Sequence, residues 1–226
     1  MAEIKKVLKL NKCEYCDKNL PWGAKAISYL PELKTAIIKG CVPVLVELDT
    51  KKLPALILKK CIVIDHHNAY KNRKASILQV LHLLKLQPSR EQLLIAANDS
   101  GYIPAMIKMG ETMKEIEKIR RLDWLAQGIT PQKTEQVLKE YAAREVRNNV
   151  IIVHQKEFCF APATDKAFFE QNILFICEDG RTVWFNTPEK SLRCIRNLLL
   201  AVGADRPLLE MHALKYKKKW LNSSCT

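Results

Sequence analysis

The segment IVIDHHNAY, residues 62–70, has the residue types best suited to chemistry in this sequence. A short apolar run rich in β-branched residues leads directly into Asp65, His66 and His67, as expected where a buried strand ends in a polar loop. In open α/β sheets, ligands bind in the crevice beyond the carboxyl ends of the strands. One carboxylate and two imidazoles are suitable ligands for Mn²⁺, Mg²⁺ or Zn²⁺. The pattern therefore predicts a divalent-cation site centred on these three residues.

An Asp-His-His string directly after a hydrophobic strand resembles the signature of the DHH phosphoesterases. This family includes RecJ-like exonucleases, nanoRNases, cyclic-dinucleotide phosphodiesterases and pyrophosphatases. The resemblance covers residues 5–110 and extends beyond them only in general topology. It implies a parallel-sheet domain that holds two divalent cations, typically Mn²⁺ and alternatively Mg²⁺, with aspartates from four motifs.

Two of the remaining motifs match aspartates that follow predicted elements. The second motif is an aspartate that ends an earlier strand, and PVLVELDTKKLP (43–54) supplies Asp49. The fourth is an aspartate after a helix with Ser or Thr beside it, and LIAANDSGYIPAM (94–106) supplies Asp99 followed by Ser100. By this resemblance Asp49 and Asp99 are expected to be metal ligands.

The first motif of the family departs from its usual form in this chain. It reads Asp-x-Asp with small residues shortly after, and CDKNLPWGAKA (16–26) offers Asp17 and Asn19. The neutral amide of Asn19 still offers an oxygen ligand but attracts a cation less strongly than a carboxylate does. One of the two metal positions is therefore expected to be weak.

The resemblance assigns roles to a defined set of side chains. Two cations about 3.5–4 Å apart neutralise a phosphodiester and activate a bridging water for in-line attack. The expected metal ligands are Asp17, Asn19, Asp49, Asp65, His66 and Asp99. The expected catalytic residues are Asp65, His66 and His67, with His67 near the scissile phosphate as an electrostatic stabiliser or acid. The expected substrate-binding residues are Asn68, Ser100, Arg181, Arg193 and Arg206.

The order of elements predicts an α/β fold with a DHH-type parallel sheet, flanking helices and a smaller C-terminal α/β unit. The predicted strands of the first domain are VLKL (7–10), PVLVEL (43–48) and CIVI (61–64), and its predicted helices cover 74–84, 89–97 and 112–126. Ser89 and Gln92 have capping-box spacing, and Thr130-Pro131 opens a helix over 131–147. The predicted domains are 1–128, a connecting helix at 129–148, and 149–226.

The C-terminal part lacks the glycine-rich, GGGH-like motif that usually binds substrate in the family. Its predicted elements are the strand VIIVH (150–154), a hairpin with Asp179-Gly180 between ILFICE and RTVWF, and a helix from Thr187 to about residue 201. Because the substrate-binding motif is missing, the sequence leaves the substrate open.

Composition restricts the class of protein. The 226 residues are 48% hydrophobic and 27% charged, which fits a soluble globular protein and excludes a disordered or fibrous one. No apolar run approaches the roughly 20 residues that span a bilayer, so no membrane partner and a cytoplasmic location are expected. The net charge of +13 attracts polyanions such as nucleic acid.

These observations lead to one functional prediction and two alternatives. The prediction is a phosphodiester hydrolase that uses a metal-activated water on single-stranded nucleic acid or short oligonucleotides. The alternative within enzymes is a hydrolase of cyclic dinucleotides or pyrophosphate. The alternative outside enzymes is a non-catalytic DHH-fold subunit that binds nucleic acid or serves as a scaffold in a replication or repair assembly. Asn19 and the missing glycine-rich motif favour the latter.

Overall fold

The structure is a computed structural model, and it describes residues 1–185 except positions 22, 148–149, 158, 168–172, 179 and 181. The chain divides into two compact units, Met1–Ala126 and Gln127–Thr226. The predictions for the helix that begins at Thr187 and for Arg181, Arg193 and Arg206 fall outside the described residues. Among those residues, no helix is both long and apolar enough to cross a membrane.

The first unit is mixed α/β. Its helices are α1 (Ala2–Leu10), α2 (Leu30–Ile38), α3 (Ala55–Leu58), α4 (Ser76–Leu83), α5 (Arg90–Lys108) and α6 (Met113–Ala126). Its strands are β1 (Val44–Val46) and β2 (Ile62–Ile64). Two single turns of 3₁₀ helix, Ala26–Tyr29 and Asn68–Tyr70, complete it.

Strands β1 and β2 form the parallel pair that positions the predicted site. Val44 pairs with Ile62 and Val46 with Ile64, in the parallel arrangement predicted from the alternation of strands and helices in the sequence. Leu45 of β1 belongs to one buried cluster, together with residues of α2 and of the 3₁₀ turn Ala26–Tyr29. Ile64 of β2 belongs to a second buried cluster, together with residues of α1 and α4. Because both strands run in the same direction, the residues that follow them lie at one edge of the sheet.

The prediction of a strand at VLKL (7–10) is wrong, because this segment is the second half of α1. Ile4 and Val7 are spaced for one helix face and are both buried, whereas Lys6 and Lys9 are exposed. A four-residue apolar run cannot distinguish a strand from a helix. The preceding residues Ala2–Lys6 are mostly strong helix formers and determine the outcome.

The helical predictions in the rest of this unit are confirmed with shifted ends. Ser89 caps α5 in a complete capping box, since its hydroxyl accepts from the backbone of Gln92 while the Gln92 side chain accepts from the backbone of Ser89. Helix α5 continues beyond residue 97 to Lys108, but Tyr102 has non-helical angles (φ 61°, ψ −152°) that interrupt it. Pro104 follows this kink.

The second unit contains a four-stranded mixed sheet. Its elements are α7 (Pro131–Ala142), β3 (Glu145–Arg147), β4 (Val150–Gln155), α8 (Ala161–Lys166), β5 (Ile173–Cys177) and β6 (Thr182–Phe185). The strand order is β3-β4-β5-β6, in which β4 and β5 are parallel and the outer pairs are antiparallel. The predicted hairpin between β5 and β6 is confirmed.

The predicted helix over 131–147 is too long. Thr130 accepts from the backbone of Lys133 and Pro131 begins α7, as expected. The helix ends at Ala142, and Glu145–Arg147 instead pairs with β4 as an edge strand. This pairing depends on a partner distant from the helix pattern, so local periodicity does not reveal it.

Candidate metal centre

The carboxyl ends of β1 and β2 place Glu47 and Asp65 side by side. Val46 pairs with Ile64, so the next residue on each strand is Glu47 or Asp65. The backbone N–H of Glu47 donates to the Ile64 carbonyl at 2.9 Å. Glu47 has φ +54°, which is uncommon for a residue other than glycine. Such backbone strain is frequent at functional sites.

His66 lies at the centre of the group, and its side chain is only 6% exposed. Its Nδ1 is 3.1 Å from the hydroxyl of Ser76, the first residue of α4, and 3.7 Å from Oε1 of Glu47. Its Nε2 is 3.3 Å from Oδ2 of Asp99 on α5. This buried Nε2 has no hydrogen-bond partner. Three separate elements therefore surround one imidazole with polar oxygens.

His67 lies against His66 and completes a group of potential metal ligands. The two imidazole centroids are 4.1 Å apart with their planes tilted by 38°. One ligand atom from each of Glu47, His66 and His67 lies within 4.8 Å of the others. A search of the described part of the chain for three or more His, Cys, Asp or Glu side chains close enough to hold an ion finds this one group.

Asp65 contacts both the side chain and the backbone of His67. Its Oδ1 lies 2.9 Å from Nδ1 of His67 and accepts from the His67 backbone N–H at 2.8 Å. Its carbonyl oxygen accepts from the side chain of Gln79 at 3.0 Å. A carboxylate that holds one histidine nitrogen leaves the other available to a metal ion, as is usual around metal-bound histidines.

Asp99 lies on α5 between Asn98 and Tyr102, two residues that contact Arg120 of α6. Arg120 of α6 is buried, donates to Asn98 and Asp123, and lies over the Tyr102 ring with its guanidinium carbon 4.4 Å from the centroid. These contacts hold α5 on both sides of Asp99. Burial raises the pKa of Asp99, the positive charge of protonated His66 works against this rise, and the charge of Glu47 adds to it.

The arrangement around His66 has more acceptors than donors. If Nδ1 of a neutral His66 donates to Ser76, its Nε2 lone pair faces the lone pairs of Asp99. Such a contact is unfavourable unless a proton or a cation lies between the two groups. The unpartnered Nε2, the carboxylates of Glu47 and Asp99, and the second imidazole therefore fit a divalent cation of the Mn²⁺, Mg²⁺ or Zn²⁺ type.

The structure does not bring the residues of the first and second motifs into this group. Asp17 forms an ion pair with Lys5, and its Oδ1 accepts from the Asn19 backbone at 2.8 Å. Asp49 is exposed and accepts from the backbone of Lys51 at 3.0 Å. The backbone of Asp49 pairs with Ala24 and Ala26, which places the segment after Asn19 beside it. The described residues thus gather ligands for one cation.

The predicted substrate-binding residues in this unit lie close in sequence to the group. Asn68 directly follows His67 in the chain and is exposed, so its side chain is accessible. The Ser100 hydroxyl donates to the Ala96 carbonyl of its own helix at 2.9 Å.

Three residues that contact the Asp65-His66-His67 segment are not predicted from the sequence: Glu47, Ser76 and Gln79. Glu47 falls inside the strand predicted over 43–48, but β1 ends at Val46, so Glu47 is the first residue beyond it and lies beside Asp65. Ser76 and Gln79 approach from α4, and no local pattern in the sequence indicates their contacts.

The chain was compared with protein-family models, curated proteins and solved structures, and none of the three comparisons finds a match.

Proposed function

We propose that this chain is a metal-dependent phosphoesterase that hydrolyses phosphodiester bonds, with single-stranded nucleic acid or short oligonucleotides as its substrates. The observation that supports this most directly is the buried, unpartnered Nε2 of His66, which lies 3.3 Å from Oδ2 of Asp99 on an imidazole whose Nδ1 lies 3.7 Å from Oε1 of Glu47. The resemblance of Asp65-His66-His67 to the DHH signature supports the same activity.

The residues of the group have distinct tasks in this proposal. Glu47, His66 and Asp99 would hold a divalent cation, typically Mn²⁺. Asp65 fixes Nδ1 of His67, which leaves Nε2 of His67 to bind the cation or to stabilise the leaving oxygen. A bound cation supplies positive charge to the phosphoryl oxygens and lowers the pKa of a water molecule.

The charge of the chain supports an anionic substrate. A net charge of +13 attracts polyanions over long range and raises their encounter rate. This attraction is independent of sequence and does not select RNA over DNA. Cyclic dinucleotides and pyrophosphate carry the same kind of charge, so they belong in the test.

The proposal is tested by hydrolysis of a panel containing single-stranded RNA and DNA, dinucleotides, cyclic dinucleotides and pyrophosphate. Each substrate is assayed with Mn²⁺, with Mg²⁺ and with a chelator. We expect cleavage that requires the metal and is abolished in His66→Ala. His82→Ala is the matched control, because His82 lies exposed on α4 outside the metal group. Metal-independent cleavage, or full activity in His66→Ala, would contradict the proposal.

A second candidate function is that of a non-catalytic subunit that binds nucleic acid. The ion pair of Asp17 with Lys5 favours it, because this pair occupies a carboxylate that a second cation would need. The same panel separates the two functions. Tight binding of single-stranded nucleic acid without cleavage of any substrate would favour the binding subunit.

A further inference from the structure

A strongly basic turn directly follows the two histidines of the metal group. Residues 68–74, which form this basic turn, read NAYKNRK, so that Lys71, Arg73 and Lys74 supply three cations within four positions. No acidic residue follows them in the sequence before Glu91. The chain therefore has a local excess of positive charge immediately after its predicted metal ligands.

Hydrogen bonds at both ends hold the basic turn against the segment that carries these ligands. The backbone N–H of Tyr70 donates to the His67 carbonyl at 2.9 Å, which closes the first half of the turn. At the other end, Nε2 of Gln79 donates to the carbonyl oxygens of Asp65, at 3.0 Å, and of Lys74, at 2.7 Å. Because one nitrogen contacts both carbonyls, the backbone of Lys74 lies beside that of Asp65.

The ammonium groups of Lys71 and Lys74 are free to bind an anion. Both residues are exposed, and neither forms an ion pair with any residue that the structure describes. The carboxylates beside the metal group contact its histidines instead. Lysine side chains that are left unpaired in this way are the usual contacts of a protein with the phosphates of nucleic acid.

Arg73 presents a restrained guanidinium on the surface of the basic turn. Its guanidinium carbon lies 4.3 Å from the centroid of the Tyr70 ring, and its Nη1 donates to the Val63 carbonyl of β2 at 2.9 Å. The residue is nevertheless exposed. Unpaired bases stack on arginine guanidinium planes as well as on aromatic rings. A side chain that is already ordered loses little further entropy when a base stacks on it.

We propose that the basic turn binds single-stranded nucleic acid beside the metal group, with Lys71 and Lys74 on the phosphates and Arg73 against a base. The inference rests on the proposed function and specifies how its substrate is held. It favours a strand over pyrophosphate, which has no base to stack. It also favours a single strand over a duplex, in which the faces of the bases are already stacked on one another.

The test of the phosphate contacts is fluorescence anisotropy with a labelled thymidine octanucleotide, at several salt concentrations and in chelator, where no metal-dependent cleavage occurs. The variant is Lys71→Gln/Lys74→Gln. The matched control is Lys59→Gln/Lys60→Gln, which removes the same charge from two exposed lysines that precede β2.

The two double variants should differ in the salt dependence of binding. A phosphate contact to a single strand contributes about 0.7 to the slope of log Kd against log salt concentration. We therefore expect Lys71→Gln/Lys74→Gln to lower this slope by about 1.4 relative to wild type, and the control to leave it unchanged. Equal slopes in the two double variants would overturn the inference.

The test of the base contact is Arg73→Lys, which keeps the charge and removes the plane on which a base can stack. We expect it to weaken binding of the octanucleotide by roughly 5-fold or more, as for the loss of one stacked base. An abasic strand of the same length is the matched ligand, and its affinity should stay unchanged. An equal loss for both strands, or no loss for either, would contradict the role of Arg73.

Circular dichroism checks the folding of this variant, because Arg73 also contacts the Val63 carbonyl. If Arg73→Lys does not fold, Tyr70→Leu provides the same comparison, since it removes the ring beneath the guanidinium and leaves the bond to Val63 in place. The same selective loss for the base-bearing strand is expected.

Failure of this inference and failure of the proposed function give different results. A wild-type chain that cleaves oligonucleotides, together with wild-type binding in Lys71→Gln/Lys74→Gln, would overturn the role of the basic turn and leave the phosphoesterase proposal intact. Selective loss of binding in this variant, together with no cleavage of any substrate by wild type, would support the basic turn and contradict the phosphoesterase proposal.

Discussion

Nε2 of His66 and Oδ2 of Asp99 lie 3.3 Å apart, and this Nε2 forms no hydrogen bond. His66 follows β2, whereas Asp99 precedes the kink in α5. Their contact connects the end of the parallel sheet to the longest helix of the first unit. If Nδ1 of His66 donates to Ser76, Nε2 and the Asp99 carboxylate are two acceptors, and a proton or a cation must lie between them.

Glu47 and Asp49 are both acidic and lie two residues apart, so they form a matched pair. Only Glu47 has a carboxylate oxygen close to His66, at 3.7 Å. We expect Glu47→Gln to abolish the rise in melting temperature on addition of Mn²⁺, and Asp49→Asn to retain it. For wild type, Mn²⁺ at 100 times its dissociation constant should add about 2.7 kcal/mol to the free energy of unfolding. The reverse pattern would support the ligand assignment taken from the DHH resemblance.

Asp99 should destabilise the metal-free fold at neutral pH. Burial raises its pKa above the ordinary value of 3.8, so its contribution to stability is fully present below that value and is lost as the pH rises through the raised pKa. In chelator at pH 7.5, we expect Asp99→Asn to be more stable than wild type, by at most about 1 kcal/mol because the side chain is 41% exposed. Below the ordinary pKa the difference should vanish.

Urea unfolding at pH 3.5 and 7.5 measures this difference. Adding Mn²⁺ at pH 7.5 should reverse the order of stability, since only wild type gains from the metal. An Asp99→Asn variant that is less stable than wild type in chelator at pH 7.5 would contradict the prediction.

Asp17 should act as a structural carboxylate. Its hydrogen bond from Lys5, followed by that from the Asn19 backbone, lowers its pKa below 3.8. Its stabilising contribution is therefore present above that value and is lost as the pH falls through the lowered pKa. At pH 7 we expect Asp17→Asn to reduce the free energy of unfolding by about 0.2–1 kcal/mol, as for other ion pairs near the surface.

The same variant tests whether Asp17 binds metal. We expect the Mn²⁺ midpoint in a thermal-shift titration to be unchanged in Asp17→Asn, because Lys5 already compensates the carboxylate. A higher Mn²⁺ concentration at the midpoint in Asp17→Asn would support the ligand role that the first motif assigns to Asp17.

Ser76 should orient His66. Its hydroxyl is fully buried and lies 3.1 Å from Nδ1, on the side of the ring opposite the unpaired Nε2. Loss of such an outer contact typically weakens metal binding about 10- to 100-fold, which we expect for Ser76→Ala in a Mn²⁺ titration. The ¹⁵N chemical shifts of His66 should change as well, because the tautomer is no longer fixed.

Ser100→Ala is the control for this experiment. The Ser100 hydroxyl also lies beside a proposed ligand, but it donates to the Ala96 carbonyl of its own helix. We expect its removal to leave Mn²⁺ affinity unchanged. Equal effects of the two serine variants would show that Ser76 has no specific influence on His66.

Local signals in the sequence are sufficient to predict the features that depend on neighbouring residues. Ser89 and Gln92 fix the start of α5, Thr130 and Pro131 fix the start of α7, and the run before Asp65 fixes β2. Each of these signals is local, since a cap or a strand end involves only a few consecutive residues. The same local signal indicated that His66 and His67 follow a buried strand and are suitable for metal binding.

Long-range packing determines which other side chains join these histidines. The strand register places Glu47 rather than Asp49 beside His66, because β1 ends at Val46 where β2 ends at Ile64. Ser76 contacts His66 because α4 packs against β2. In the second unit, β3 forms because β4 provides a strand with which it pairs. Such contacts join residues distant in sequence, and their free energy depends on partners that no local pattern contains.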